Sequence, residues 1–175
     1  MQVREANVKD AEGIKNLHLQ AFGNSEAELV SALAVNLLHE KTAVNIISLV
    51  AIENDVIIGH VAFSPLFLDS TNDLFGYILA PLAVSPAHQN NRVGSRIVKH
   101  GLERVSSLGA YVVFVYGDPA FYSRFGFKTD LAQNYFPPYT LQYPEGWQAM
   151  KLNATALPGG GKVKCVDSLV DPRLW

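Results

Sequence analysis

The segment LAVSPAHQNNRVGSRI, Leu82 to Ile97, closes an apolar run, crosses a polar loop and opens a long amphipathic stretch. The first amides of a helix have no internal partner and point outward with the positive end of the helix dipole, which makes them a seat for phosphate groups. Gln89, Asn90, Asn91, Arg92, Val93, Gly94 and Ser95 stand at that junction. The triple glycine at Gly159 to Gly161 lacks the Lys-Ser/Thr pair and the helix of a phosphate loop, and reads as a turn. Cys165 is the only cysteine and has no adjacent histidine to activate it, so neither an internal disulfide nor a cysteine nucleophile is expected. His18, His39, His60, His88 and His100 are scattered without metal-ligand spacing, and no metal is expected.

The elements that position this junction can be read from periodicity. After an extended start at Gln2 to Glu5, Asn7 can cap a helix with Ile14, Leu17, Ala21 and Phe22 on its apolar face. Gly23 breaks it, and SEAELVSALAVNLLHE forms a second helix whose Ser25 and Glu28 match a capping box. The triplet Glu53, Asn54, Asp55 separates the apolar runs IISLVAI and VIIGHVAF, which predicts two antiparallel strands and a hairpin. A third strand over Phe75 to Val84 contains Pro81, which has no amide hydrogen to give a ladder and predicts a bulge or a stop in pairing.

VGSRIVKHGLERVSSLG then places Val93, Ile97, Val98, Leu102, Val105 and Leu108 on one helical face, with Gly109 as its C-terminal cap. The continuous run AYVVFVY suits a strand buried on both faces, and strand, helix, strand in this order implies a right-handed parallel crossover. Asp118 and Pro119 form an N-cap and first helical residue, and Gly126 ends that short helix. Beyond Lys128 the periodicity is weaker, although GWQAMKLN and GKVKCV each read as a strand.

At 175 residues the chain has the size of one domain and can bury about 70% of its extended surface. Apolar residues make up 49% and charged ones 17%, which excludes a disordered chain, and the longest apolar runs are too short for a membrane span. The charged start MQVREANVKD is unlike a secretory signal, so a cytoplasmic location is expected. A net charge of −2 and the lack of a Lys/Arg cluster argue against a nucleic-acid partner.

Gln89 and Gly94 occupy the first and last positions of a pattern that resembles the acyl-CoA pyrophosphate loop of the GNAT acetyltransferase superfamily, Gln/Arg-x-x-Gly-x-Gly/Ala. Arg92 departs from it where the pattern has its first glycine. GDPAFYSRFGF, Gly117 to Phe127, resembles the family's short helix with its Tyr-x-x-x-Gly-Phe ending, and GHVAFSP resembles a bacterial subgroup of acetyltransferases. The resemblance covers about Val3 to Phe127; residues 128–175 fit less securely, within one acetyltransferase domain. It implies an α/β fold with a central, mostly antiparallel mixed sheet, a splayed parallel strand pair and flanking helices.

The same resemblance implies acetyl-CoA as cosubstrate and a primary amine, on a small molecule or a peptide, as acceptor. Pantetheine would fill the splay beside Leu82, Ala83 and Val84, where free backbone groups pair with its amides. Tyr122 holds the family's tyrosine position near the sulfur, where a phenol can protonate the departing thiolate. For the amine's proton, His60 on a strand beside the expected cleft has a suitable pKa, against the alternative of a half-buried histidine bonded to backbone. Glu28 and a water relay are the other routes. A non-catalytic acyl-CoA sensor or partner-binding module on the same fold stands as the rival reading, and the oligomeric state, a homodimer included, is left open.

Overall fold

The computed structural model describes residues 1–23, 25–71 and 74–175. Strand β1 (Gln2–Glu5) leads to a tight turn in which Asn7 accepts from the Lys9 amide and Asp10 accepts from the Asn7 amide, a complete capping box. Arg4 grips the same Asp10 carboxylate through two bonds of 2.8 Å, which ties β1 to the start of helix α1 (Ala11–Ala21). Helix α2 spans Ala27–His39. The expected Ser25–Glu28 box is absent: Glu26 precedes the helix without a side-chain cap, and the Glu26 and Ala27 amides bond the Gly23 carbonyl instead. A backbone turn onto Gly23 takes the place of a side-chain cap.

Strands β2 (Ile47–Glu53) and β3 (Val56–Leu68) form the expected hairpin. Its turn residues Asn54 and Asp55 have φ of 50° and 63°, the left-handed pair that a two-residue turn demands and that Asn and Asp tolerate well. Strand β4 (Leu74–Val84) pairs antiparallel with β3 until the register slips. Val61 faces Leu82 and Phe63 faces Leu79, so β4 carries one extra residue in the stretch that holds Ala80 and Pro81. The bulge lies where Pro81 predicted it.

Helix α3 (Val93–Ser107) returns the chain to β5 (Val112–Tyr116), which pairs in parallel with β4. Gly109 caps α3 with φ of 84°, while Leu108, expected on the buried face, is 40% exposed because the helix ends before it. Short helices α4 (Pro119–Tyr122) and α5 (Thr129–Ala132) follow, then β6 (Tyr135–Phe136), β7 (Trp147–Lys151) and β8 (Gly161–Lys164). The sheet runs β1-β2-β3-β4-β5-β7, antiparallel at every step except β4–β5, and β8 pairs with the end of β3 and with β6.

Two apolar layers sandwich this sheet. Val61, Phe63 and Leu79 pack under Ile97, Val98 and Val105 of α3 on one face. On the other, Leu33 and Leu37 of α2 cover Ala62, Leu66 and Ile78 and meet the tail through Val163, Leu169 and Trp175. The Glu40 carboxylate fastens that tail by accepting from the Asp167 and Ser168 amides at 2.9 and 3.1 Å. Both strands expected in the tail therefore form, and they complete the wall of the site described next.

The parallel pair is close-packed below the bulge: a Cβ on Gly76 would collide with the Val112 carbonyl and lie 2.8 Å from Val112 Cγ1. Gly76→Ala is expected to lower the urea-unfolding free energy by about 1–3 kcal/mol. Gly159→Ala, which has open space around it, should stay within about 1 kcal/mol of the parent protein.

Candidate active site

Parallel pairing of β4 with β5 begins at Tyr77↔Val113 and ends at Leu79↔Val115, although β4 continues to Val84. Pro81 offers no N–H, and the bulge turns the rest of β4 away. The Ser85 amide donates to Ile58 on the β3 side, so strand alternation aims the peptide groups of Leu82 and Val84 toward the gap. Ala83 faces the other way, toward β3, with its side chain buried. Beyond Val84 the chain crosses to α3 with Asn90 and Arg92 both at φ of 61°.

Arg92 is thus a left-handed residue at the helix start, a conformation that glycine adopts freely and that costs an arginine about 1 kcal/mol. The helical ladder opens at Arg96, whose amide bonds the Arg92 carbonyl, which leaves the Val93, Gly94 and Ser95 amides without a partner in the helix. Gly94 packs against Val84 and Phe121; a Cβ there would sit 3.4 and 3.5 Å from them. Gln89 reaches back to the Val84 carbonyl at 3.2 Å. The strand end, the loop from Gln89 to Ser95 and the short helix α4 therefore form one continuous surface.

Helix α4 stands where expected. Asp118 accepts from the Ala120 amide at 2.9 Å, Pro119 supplies the first turn, and Gly126 closes the segment at φ of 97°. The Tyr122 ring is wedged between Phe121, Phe127 and the backbone of Gly117, where a Cβ would lie 2.6 Å from the ring. Burial, with a smaller push from the Asp118 charge, raises the Tyr122 phenol well above its ordinary pKa. Its hydroxyl has no hydrogen-bond partner among the described residues, and the residue lines a cavity of about 650 Å³.

That cavity passes through the parted sheet. Leu79, Leu82, Phe121 and Tyr122 line it toward α3, while Leu33, Ile78, Leu169 and Trp175 line it toward α2. Glu26 reaches it, whereas Glu28, two residues into α2, is exposed and does not line it. Tyr116, Tyr143, Glu145 and Arg173 complete the wall and were missed in the sequence, because they sit on a strand end and in the weakly periodic tail. Among the described residues no group of His, Cys, Asp and Glu could hold a metal ion. The partly buried Cys165 thiol is pushed up to about 12 by desolvation, which suppresses its thiolate.

His60 stands apart from this cavity, and its expected role as a base is corrected by its burial. It is fully enclosed, with Nδ1 2.8 Å from His18 Nε2 and Nε2 2.9 Å from Ser48 Oγ. Donation from His18 to His60 and from His60 to Ser48 satisfies both contacts and leaves a lone pair, not an N–H, unpartnered at the buried His18 Nδ1. His18 in turn stacks on Phe22, which lines the cavity, so the pair braces the wall from behind.

Burial holds both imidazoles below the ordinary histidine range, His18 at about 4, with each charge further disfavouring the other at His60 against a weaker pull from Asp10. The unfolded chain binds these protons near pH 6.5 and the folded one does not. Stability from the pair is therefore complete above pH 6.5 and declines as the pH falls toward 4. Melting curves between pH 7.5 and 4.5 should show this decline, and His60→Gln should make it shallower; an unchanged slope would remove the pair from the acid sensitivity.

A sheet parted at one parallel pair, with the outward peptide groups of β4 on one side and open helix amides at the start of α3, forms a slot edged by backbone hydrogen-bonding groups. Residues 45–129 match the family model described as an acetyltransferase (GNAT) domain. The chain is 32% identical over 163 residues to the uncharacterized N-acetyltransferase YjhQ of Escherichia coli K12, covering 90% of this chain and 88% of that protein. The crystal structure of the GNAT family N-acetyltransferase YhbS from Escherichia coli in complex with CoA has a TM-score of 0.84 and 28% identity, covering 95% of this chain and 90% of that one. A GNAT family acetyltransferase from Brucella melitensis in complex with acetyl-CoA gives 0.71 and 26%, over 95% and 96%. The chain belongs to the GNAT family of acetyltransferases.

Proposed function

We propose that the protein moves an acetyl group from acetyl-CoA to a primary amine by direct attack, with both substrates bound at once. The observation that carries this reading is the gap between β4 and β5, which joins the peptide groups of Leu82 and Val84, unpaired with β5, to the open amides of Val93, Gly94 and Ser95. The pantetheine arm would add to the edge of β4 as a short strand does, and the pyrophosphate would sit at the start of α3. Arg92 is exposed there, and its guanidinium would meet a phosphate oxygen.

The neutral amine nitrogen attacks the thioester carbon, the C–S bond breaks, and the new amide nitrogen sheds a proton while the sulfur gains one. Tyr122 lines the cavity, and in this reading its hydroxyl would lie beside the sulfur. Its raised pKa keeps the phenol protonated throughout the working pH range, and a thiol with a reference pKa of about 8.5 is too weak a base to strip it. Tyr122 therefore acts as a hydrogen-bond donor that stabilises the developing thiolate, and solvent supplies the final proton. With His60 buried, the proton lost by the amine leaves through water and the cavity carboxylates Glu26, Asp118 and Glu145.

Thiol release measured with acetyl-CoA and a panel of primary amines tests this assignment. Tyr122→Phe is expected to lower turnover by roughly 10² with little change in acetyl-CoA affinity. Undiminished turnover in that variant would take Tyr122 out of the mechanism. Saturable acetyl-CoA binding without turnover of any primary amine would favour a sensor.

A further inference from the structure

We propose that the acceptor half of the cavity takes a primary arylalkylamine, a single amine on a short chain that ends in an aromatic ring. The inference rests on the acetyl-transfer reading above and names the substrate class of that site. Three features of the wall carry it: its charge, its aliphatic floor and its aromatic side.

The charge is negative. Glu26, Asp118 and Glu145 line the cavity, and none of them is paired with a Lys or Arg among the described residues. The one guanidinium there, Arg173, is already held by its own Asp171 through bonds to both carboxylate oxygens. Such a wall attracts a cation and repels an acceptor that carries its own carboxylate. Asp118 caps the short helix that carries Tyr122, and the Tyr122 amide bonds the Asp118 carbonyl at 3.1 Å, so this carboxylate draws the amine toward the Tyr122 end.

Much of the remaining lining is apolar. Leu29, Val30, Leu33, Ile78, Leu169 and Leu174 form an aliphatic floor. An amino sugar would strip several hydroxyls of water there without replacing their bonds.

The remaining side is aromatic. The Tyr116 and Trp175 rings stack at 6.3 Å and 13°, and Trp147, which does not line the cavity, backs Trp175 edge-on at 5.9 Å. The Trp175 indole N–H is spent on the wall, donating to the Leu169 carbonyl at 3.0 Å, and the Tyr116 hydroxyl is fixed by accepting from the Tyr143 amide at 2.9 Å. Ring faces and edges are what this side offers a ligand, and Tyr143, 58% exposed, adds another ring at the mouth. Aromatic surfaces pair with an aromatic ring in preference to an alkyl chain of equal length.

The test compares phenethylamine and tryptamine with spermidine, kanamycin and a lysine-containing peptide amide, by thiol release from acetyl-CoA with the full chain. The arylalkylamines are expected to have a kcat/KM at least about tenfold above the others. Tyr143→Ala, at an exposed position whose backbone bond to Tyr116 persists, should raise the phenethylamine KM several-fold and leave the acetyl-CoA thermal shift unchanged. Trp175→Leu should do the same more strongly. Equal or faster turnover of spermidine, kanamycin or the peptide would overturn the proposal, as would a Tyr143→Ala enzyme with an unchanged phenethylamine KM. If acetyl-CoA still shifts the melting temperature but no arylalkylamine is acetylated, the acceptor class is wrong and the cofactor reading survives. If acetyl-CoA produces no shift, both fail.

Discussion

The end of backbone pairing between β4 and β5 at Leu79↔Val115 is the constraint on which the site depends. Interior strands of a sheet are normally paired along their length, because an unpaired buried peptide group forfeits its bonds to water. Here Pro81 removes a donor and the extra residue in β4 rotates the following peptides, so the two strands diverge. The gap is therefore polar along its β4 edge, through Leu82 and Val84, and apolar across its width. That combination suits a ligand arm built from amides joined by methylene groups.

Everything around the gap keeps it from closing. Below it, Gly76 lets β4 and β5 approach closely, which anchors the pair just before it parts. Beyond β5 the Gly117 amide bonds the Gly146 carbonyl, and the capped helix α4 sets Tyr122 at the opening. On the α2 side the tail is fastened by Glu40 and by the Tyr116, Trp147 and Trp175 rings, so a segment with weak local periodicity becomes a rigid wall. The histidine pair behind Phe22 is a polar strut in an otherwise apolar layer, and its stability depends on both rings staying neutral.

Much of this was legible locally. A proline inside a β-branched run marked the bulge, Asn54 and Asp55 marked the hairpin turn, and Asp118-Pro119 marked the start of α4, because each acts through its own backbone. Tyr122 was legible as a residue of the opening through the short helix that carries it. What escaped depends on distant partners. His60 looked like an available base until His18, 42 residues away, and Ser48 enclosed it. Glu28 stood as another route for the amine's proton, but the helix starts at Ala27 after the backbone turn onto Gly23, and Glu26 lines the cavity instead. Arg92 read as a departure from a glycine pattern, yet the chain bends there with the left-handed φ that glycine would supply, so the loop keeps its course. The part of the cavity wall supplied by Tyr143, Glu145, Leu169 and Trp175 had only a weak periodic signal, since its residues are brought together by the sheet and by α2.

Amide hydrogen exchange with and without acetyl-CoA tests most directly whether the parted strands form the cofactor slot. The account predicts slower exchange at Leu82 and Val84 and at Val93 to Ser95 on binding, with little change at Tyr77 to Leu79, where β4 is already paired on both sides. Binding that protects another surface and leaves the Leu82 and Val84 amides exchanging as before would contradict it.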